Sequence, residues 1–492
     1  MAGQKQESGG GRRKALGLLV AVAAFVLLLL LPAPSGMPPE AWRVMAVAVL
    51  MAVLWVTEAL PLAATSLVPL VAFPLLGISS TKAAAAPYAD PLIFLFLGGF
   101  VLGLGLQRWN LHRRIALAIV GRLGTSPPRL VGGFLLATAF LSMWVSNTAT
   151  AVMMLPVALS VVGLVEGAGD EGGAADRRNL AVGLLLAVAY GASIGGLATL
   201  IGTPPNALLA AYMSRTHGVE VGFAQWMALG VPLSLVMLAI TWVLLAKVIY
   251  PVAAGAVAGA EEAVGREARG LGPLSGPERR VGLVFLLTAT AWVFRPLVSD
   301  LVPGLDDTVI AIAAALALFA LPSGAPGGGR LLDWAAAREV PWGVLLLFGG
   351  GLSLAAAIAD SGLAGWLGAL IQGLGGLPGI VVVLAATLAI IFLTELTSNT
   401  ATAAAFLPLV GSAAVGLGMD PFLLTVPVAL AASCAFMLPV ATPPNAIVYG
   451  SGHLAIADMA RVGLWLNLLG TLVITAAAYA AVGTLLVTPV KG

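Results

Sequence analysis

Two short polar motifs each occur twice in the chain, in the same order. The hexapeptide SNTATA covers residues 146–151 and again 398–403, and the tetrapeptide TPPN follows it at 203–206 and 442–445. Their hydroxyl and amide oxygens, with backbone carbonyls, suit a hard cation such as sodium, and their O–H and N–H groups can donate to a carboxylate. No Lys or Arg lies inside any of the four motifs. An anion held there would depend on helix dipoles, amides, hydroxyls and co-bound cations.

Consecutive prolines interrupt the apolar sequence at each TPPN motif. Proline lacks an N–H and disfavours helical geometry in the residue before it, so a membrane span is expected to break there. Irregular backbone at membrane depth is tolerated only where it is buried in protein or lines a watery cavity. Each break ends one half-helix with bare carbonyls and starts another whose N-terminus carries about half a positive charge. Such breaks favour the binding of a cation and an anion together.

Each motif taken alone also has a purely structural explanation. Ser and Thr in membrane helices often bond to their own helix or to a neighbouring one, and a proline often only kinks a helix. The repetition of both motifs in the same order favours a binding role.

The composition is that of a membrane protein. Of 492 residues, 60% are hydrophobic and 9% are charged, against roughly a quarter charged in soluble domains. The sequence therefore predicts an all-α polytopic membrane protein. The net charge of +2 gives no reason to expect a nucleic-acid partner, and the single cysteine, Cys434, excludes an intrachain disulfide. The repeated motifs hold no Ser–His, His–Glu or Cys-based arrangement, so an enzyme is not expected.

Long apolar runs predict about 11 transmembrane helices. They lie near residues 15–33, 41–60, 62–78, 90–105, 180–202, 226–250, 279–298, 307–321, 342–358, 421–441 and 462–488. Two further apolar segments, 130–163 and 377–415, contain SNTATA near the middle and are too long for one crossing but too short for two. Both are predicted to be re-entrant hairpins. The first run is interpreted as a retained span, because the PAPSGMPPE that follows it makes a poor signal-peptide cleavage site.

Basic residues predict the orientation. Clusters such as 12–14, 113–114 and 279–280 fall on one side of the predicted spans, and the positive-inside rule makes that side, with the N-terminus, cytoplasmic in a multi-pass plasma (inner) membrane protein. Five predicted crossings separate the hairpins, so the first enters from the cytoplasm and the second from outside, which is typical of inverted-topology repeats. LFLGG at 95–99 and LLFGG at 346–350 repeat in nearly the same register.

The repeats divide the chain. Residues 1–40 form a cytoplasmic tail and the first span, 41–250 the first repeat and 281–492 the second repeat. Between the repeats, residues 251–280 are rich in Gly, Ala, Glu and Arg without an apolar period. They are predicted to be a cytoplasmic linker.

The duplicated SNTATA and TPPN motifs resemble those of the divalent anion/sodium symporter (DASS, INDY-type) family, which includes sodium-dependent di- and tricarboxylate transporters. WVTEALPL at 55–62 and LQRWNLHRRIAL at 106–117 are similar to that family too, and the likeness runs from about residue 40 to the C-terminus. The resemblance implies a homodimer whose protomers each have a scaffold domain and a transport domain that moves as an elevator. It also implies sodium-driven import of C4-dicarboxylates such as succinate, malate and fumarate, or of citrate.

The resemblance also implies which residues bind. Sodium ions, the co-transported cofactor, would be held at two sites: Ser142, Ser146, Asn147 and Gly202, and Thr394, Thr397, Asn399 and Ala441. At the second site, Thr397 and Ala441 would contribute backbone carbonyls. The substrate carboxylates would contact Asn147, Thr148, Thr203, Pro204, Ser398, Asn399, Thr400, Thr442 and Pro443.

Other activities remain open. A sodium-independent dicarboxylate exchanger or a sodium/sulfate symporter could use the same scaffold, and a membrane anion sensor is the alternative outside transport. Because no Lys, Arg or His replaces an oxygen at the motif positions, symport is favoured over exchange.

Three ionisable positions outside the motifs call for an interpretation. Glu58 and Glu395 lie in or near predicted spans, where an ionisable group is costly and a functional candidate. Glu395 is expected to relay protons, to pair with a polar neighbour or to sit at a watery mouth. His112, with Arg113 and Arg114, is expected on the polar face of an interfacial connector helix.

Overall fold

The fold is helical throughout the part of the chain that the structure describes. The computed structural model describes residues 2–167, 174–252, 260–298, 301–371 and 377–486. Across these ranges the β-structure is a single isolated bridge between Pro322 and Arg330. The predicted all-α class is confirmed.

The first half of the chain forms twelve α-helices in the described residues. They are α1 (Ala2–Leu30), α2 (Pro39–Thr57), α3 (Leu62–Thr65), α4 (Val68–Leu75), α5 (Thr81–Ala85), α6 (Pro91–Arg108), α7 (Leu111–Leu123), α8 (Pro127–Ser142), α9 (Asn147–Gly167), α10 (Ala174–Gly196), α11 (Pro204–His217) and α12 (Phe223–Val243). A 3-10 turn at Ala86–Ala89 precedes α6, and a π-helical turn at Leu244–Val248 extends α12.

The second half repeats the same succession of long helices, hairpin and broken helix. Its helices are α13 (Ala260–Gly270), α14 (Gly276–Val298), α15 (Asp307–Ala320), α16 (Trp334–Ala337), α17 (Trp342–Asp360), α18 (Leu363–Ile371), α19 (Gly379–Thr394), α20 (Asn399–Gly416), α21 (Phe422–Ala432), α22 (Pro443–Tyr449) and α23 (Ile456–Ala481).

Eight helices in the described residues are long and apolar enough to cross a membrane. Seven of them match predicted crossings, and the eighth, Asn147–Leu164, is the returning half of the first hairpin. The remaining four predicted crossings correspond to shorter apolar helices: Lys14–Leu30, Leu62–Leu75, Asp307–Ala320 and Phe422–Ala432. The predicted span at 421–441 is therefore too long, because its helix ends at Ala432 and the chain then unwinds.

Both SNTATA segments lie at the turn between two helices, as the hairpin prediction requires. The first pair is α8 and α9, and the second pair is α19 and α20. Each pair packs against the broken helix of its own half, α10 or α21. The α8–α10 contact is a backbone contact, because a Cβ on Gly191 or Gly195 would collide with the main chain of Leu135 or Ala139.

The short helices after the breaks join the two halves. Helix α11 packs against α20 and α21, whereas α22 packs against α9 and α10. Each half-helix that follows a TPPN break is thus supported by the hairpin of the opposite half. This interleaving makes the hairpins and the broken helices one packed unit.

The predicted linker is more structured than its sequence indicated. Within 251–280, the helix α13 buries Ala263 and Val264, and Glu267 pairs with Arg113 of α7. Residues 253–259 lie outside the described residues. The described part of the predicted linker therefore contains a docked helix, and its role as a linker stays a prediction.

The prediction of a connector helix carrying His112 and its two arginines is confirmed for the helix but wrong for the histidine. Helix α7 covers all three residues, and Arg114 Nε lies 2.8 Å from Glu278 Oε1. His112 is buried, 6% exposed, with Nδ1 3.1 Å from Leu106 O. It therefore packs inward and does not belong to the polar face.

Candidate functional site

The asparagine of the first TPPN motif stabilises the unwound stretch between α10 and α11. Helix α10 ends at Gly196, and α11 starts at Pro204 after an extended Thr203 (φ −147°, ψ 143°). Asn206 is fully buried, and its Nδ2 donates to Gly196 O at 3.0 Å and to Thr199 O at 2.8 Å. Gly196 O has no helical partner because α10 ends there. Asn206 therefore stabilises the unwound loop between the half-helices.

The second break repeats this geometry. Helix α21 ends at Ala432, and α22 starts at Pro443. Asn445 Nδ2 donates to Ala435 O at 3.1 Å and to Leu438 O at 3.0 Å, the carbonyls ten and seven residues before it. The separations are the same as in the first break. Sequence reasoning gave Asn206 and Asn445 no role, although the shared Asn of the two motifs was the available signal.

A cluster of oxygen atoms lies between the first hairpin tip and the first break. The end of the Asn147 amide is 2.5 Å from Ser142 Oγ, 3.2 Å from Ala192 O and 3.3 Å from Gly202 O. Ser142 is fully buried. A Cβ on Gly196 would lie 3.0 Å from Asn147 Oδ1 and 3.1 Å from Gly202 O. Three of the four residues predicted for the first cation site, Ser142, Asn147 and Gly202, are thus in contact, with Ala192 O in addition.

The orientation of the Asn147 amide decides what this first oxygen cluster can do. With its nitrogen turned inward, the amide donates to Ser142 Oγ, Ala192 O and Gly202 O. With its oxygen turned inward, the hydroxyl, the amide oxygen and two carbonyls all face one another, an arrangement that a small hard cation would stabilise. The cluster is therefore satisfied by its own hydrogen bonds in the first arrangement and would need a cation in the second.

The second hairpin tip carries an equivalent pair. Thr394, fully buried, donates through Oγ1 to Asn399 Oδ1 at 2.8 Å, and Ala432 O lies 2.8 Å from the same hydroxyl. As in Ser142–Asn147, the hydroxyl precedes the amide by five residues. The Thr397 hydroxyl instead contacts Thr402 Oγ1 at 2.7 Å. This leaves only the backbone carbonyl of Thr397 as a candidate ligand.

The two other residues predicted for the cation sites are Ser146 and Ala441. Ser146 is exposed at the first tip, and its Oγ caps α9 by accepting from Ala149 N at 3.3 Å. Its hydroxyl is therefore engaged as a helix cap. Ala441 is 7% exposed and directly precedes TPPN, as Gly202 does in the first half.

Each residue predicted to bind the anion lies at one of the four helix starts or immediately beside it. They are Asn147, Thr148, Thr203, Pro204, Ser398, Asn399, Thr400, Thr442 and Pro443. The first and second breaks touch each other, because Thr203 Oγ1 lies 3.3 Å from Ser433 Oγ. With α9, α11, α20 and α22 beginning in one interleaved unit, their N-terminal dipoles together amount to roughly two positive charges.

Glu395 braces the second break. Its Oε1 accepts from Phe436 N at 2.7 Å and Met437 N at 2.8 Å, and its Oε2 accepts from Leu438 N at 3.0 Å. Asn467 Nδ2 also donates to Oε1 at 2.8 Å. Of the three roles considered, pairing with polar neighbours fits this geometry. A position at a watery mouth is wrong, because Glu395 is only 3% exposed.

Glu58 lies at the C-terminal end of α2. It follows the last residue of α2 with a left-handed backbone (φ 47°) and is exposed. Its backbone conformation therefore terminates α2, and its side chain is on the surface of the molecule.

The chain is similar to known transporters along nearly its whole length. The family model described as the sodium:sulfate symporter transmembrane region matches residues 12–488. The sodium-dependent dicarboxylate transporter SdcS of Staphylococcus saprophyticus is 40% identical over 486 residues, 97% of this chain and 92% of that protein. The SdcS protein of Staphylococcus aureus strain USA300 is 40% identical over 472 residues, 94% of this chain and 90% of that protein.

A solved structure has the same general fold. The YdaH transporter of Alcanivorax borkumensis, described as having an unusual topology, gives a TM-score of 0.55 over 90% of this chain and 97% of that chain. The sequence identity is 15%, so this likeness concerns the fold alone.

Proposed function

Since this chain belongs to the divalent anion/sodium symporter family, we propose that it is a secondary transporter that couples sodium entry to the import of a small dianionic carboxylate. The substrates would be C4-dicarboxylates such as succinate, malate or fumarate, or citrate. The observation that carries the proposal is the duplicated hydroxyl–amide pair, Ser142–Asn147 and Thr394–Asn399, at the two hairpin tips. The name of the SdcS relatives supports the same substrate class.

The proposed sodium sites use the oxygen clusters at the tips. The first site comprises Ser142, Ser146, Asn147 and Gly202, to which we add the Ala192 carbonyl because it faces the same amide. The second site comprises Thr394, Thr397, Asn399 and Ala441, to which we add the Ala432 carbonyl. Sodium in the first site would fix the Asn147 amide with its oxygen inward and turn its N–H groups outward.

The anion would be bound by the helix starts after sodium has ordered them. An outward-facing Asn147 amide offers the anion N–H donors that, without sodium, form hydrogen bonds to Ala192 O and Gly202 O. Thr148, Ser398, Asn399 and Thr400 would add donors at the tips, and Thr203, Pro204, Thr442 and Pro443 would border the site at the breaks. Sodium and anion therefore bind cooperatively, which is the physical basis of symport.

The wider architecture is part of the same proposal. Two protomers would form a homodimer, each with a scaffold and a transport domain that contains both hairpins and moves as an elevator. The N-terminus would be cytoplasmic in the plasma (inner) membrane, with the basic clusters facing the same side.

Uptake by proteoliposomes tests the coupling. Succinate accumulation is expected under an inward sodium gradient and is expected to disappear when choline replaces sodium. Asn147→Ala and Asn399→Ala should abolish uptake, whereas Asn179→Ala, which removes an amide outside the motifs at the start of α10, should retain it. Uptake or counterflow that persists without sodium would identify an exchanger and refute the proposed coupling.

A thermal-stability panel tests the substrate class. Succinate, malate, fumarate, citrate and sulfate are each added to the purified protein with and without sodium. A carboxylate is expected to raise Tm only when sodium is present. A rise produced by sulfate and by none of the carboxylates would replace the proposed substrate with an inorganic anion.

A further inference from the structure

A groove opens on the surface of the molecule between α14 and α15. Its volume is about 560 Å³, and it is lined mainly by apolar side chains, among them Leu283, Leu287, Ala291, Val309 and Ala313. Leu283 and Leu287 are 56% and 61% exposed. Thr288 also lines the groove, but its hydroxyl donates to Val284 O at 2.7 Å. The surface of the groove is therefore apolar.

Arg280 lines one end of this groove, Arg330 is held near the lining residues Leu321 and Pro322, and Arg279 precedes Arg280 in the chain. Arg280 Nη1 donates to Pro322 O at 2.5 Å, and Arg330 Nη1 donates to Ala320 O at 2.5 Å, two residues earlier in the same segment. Arg279 is adjacent to Arg280 and exposed. Among the residues that the structure describes, none of these three arginines forms an ion pair with a carboxylate. The end of the groove is positively charged without compensation.

The length of the groove matches half a bilayer. It follows α14 from Arg280 to Ala291, which at about 1.5 Å of rise per residue is ~17 Å. One leaflet contributes about half of a hydrocarbon core that is ~30 Å thick. An acyl chain lying along α14 would reach the middle of the membrane with its headgroup beside the arginines.

We propose that this groove binds one anionic phospholipid, with an acyl chain between α14 and α15 and the phosphate against Arg279, Arg280 and Arg330. The guanidinium groups of Arg280 and Arg330 retain N–H donors beyond their single bonds to a carbonyl. Basic pockets between membrane helices commonly hold anionic headgroups. A second copy of the chain would have to bring a carboxylate to the arginine end. A lipid phosphate supplies that charge together with the apolar chain that the groove fits.

The test compares two lipids with the same acyl chains. The purified full-length protein in nonionic detergent is titrated with dioleoyl phosphatidylglycerol or dioleoyl phosphatidylcholine, with bound lipid counted by native mass spectrometry and Tm recorded in parallel. Phosphatidylglycerol is expected to bind at least about fivefold more tightly, the preference expected from about one basic residue near an anionic surface. Glycerol phosphate is the headgroup control, and it is expected not to compete.

Matched variants locate the site. Arg279→Gln and Arg280→Gln should each weaken phosphatidylglycerol binding by about fivefold, whereas Arg269→Gln, an exposed arginine on α13, should leave it unchanged. Ala313→Phe, which fills the groove, should weaken both lipids, whereas Leu316→Phe, on the same helix outside the groove, should weaken neither. Arg279→Gln keeps the test valid if Arg280→Gln fails to fold, since Arg280 also contacts Pro322.

Three results would overturn the proposal. The first is equal affinity for the two lipids, and the second is competition by glycerol phosphate at the concentration that the lipid requires. The third is a change in the dimer fraction caused by Ala313→Phe with lipid binding unaltered, which would assign the groove to a second copy of the chain.

Discussion

Removing one hydroxyl from the first oxygen cluster should weaken sodium binding in a way that can be calculated. Ser142→Ala deletes a fully buried oxygen that lies 2.5 Å from the Asn147 amide. The other oxygens of the cluster belong to Asn147 and to two backbone carbonyls, so they remain. Ser142→Thr is the matched control, because threonine occupies the equivalent position, Thr394, in the second half.

The magnitude follows from the loss of a single polar contact to a charged group. Such contacts contribute about 1.5–3 kcal/mol, which corresponds to a loss of roughly tenfold to a hundredfold in sodium affinity at about 1.4 kcal/mol per tenfold. Sodium at about 100 times its Kd stabilises a protein by about 2.7 kcal/mol, and a tenfold weaker site reduces this to about 1.4 kcal/mol. Ser142→Ala should therefore lose about half or more of the sodium-dependent rise in Tm that this site provides.

The assay is a sodium titration of Tm at constant ionic strength, with choline as the replacement cation. The sodium concentration for half-maximal succinate uptake is measured on the same variants. Ser142→Ala should shift both curves to higher sodium, and Ser142→Thr should stay within about threefold of the parent protein, a change of less than one kcal/mol. If Ser142→Ala lowers Tm equally in sodium and in choline, with an unchanged titration midpoint, the hydroxyl is structural and the sodium site is placed wrongly.

Three further predictions concern the residues around the clusters. Gly196→Ala would press a methyl group against the Asn147 amide and Gly202 O and should raise the sodium concentration that uptake requires. Ala435→Gly, at the equivalent position in the second half, should not raise it. Equal sodium requirements in both variants would refute the placement of the first sodium site. Asn206→Ala removes the donor to Gly196 O, and Asn445→Ala removes the donor to Ala435 O. Each substitution should cost about 1–3 kcal/mol, seen as a lower Tm in choline, and an unchanged Tm would show that these amides do not stabilise the unwound loops. Glu395→Ala leaves three backbone N–H groups unpaired and should prevent accumulation of folded protein. Glu395→Gln should fold and keep the parent's pH profile of uptake. A pH profile altered by Glu395→Gln would support a role of Glu395 as a proton relay.

The repeated motifs allowed the sequence to predict the hairpins and the breaks. The family resemblance implied Ser142 and Thr394, both halves keep an oxygen at the same distance from SNT, and the structure brings each against its asparagine. The positions of Asn147 and Asn399 at helix starts were predictable from the turn that each hairpin needs. Repetition is informative here because one local geometry is required twice.

Backbone atoms were the part of the site that the sequence could not specify. Ala192 and Ala432 contribute carbonyl oxygens, and alanine gives no sign of a polar role in its side chain. The bracing role of Glu395 depends on N–H groups at 436–438 that only the folded loop brings to it. His112 was misplaced because its neighbours are charged, although on a helix adjacent residues point in different directions.

The interleaving of α11 with α20, and of α22 with α9, has a consequence for biosynthesis. The ribosome synthesises α11 before most of the second half, so α11 is in the membrane before α20, the helix it packs against, has been synthesised. Tyr212 of α11 fits against Gly411, where a side chain would collide with its ring. A polypeptide truncated before α20 would lack the helix that covers α11. The exposed face of α11 would then make the truncated chain a substrate for cellular proteases.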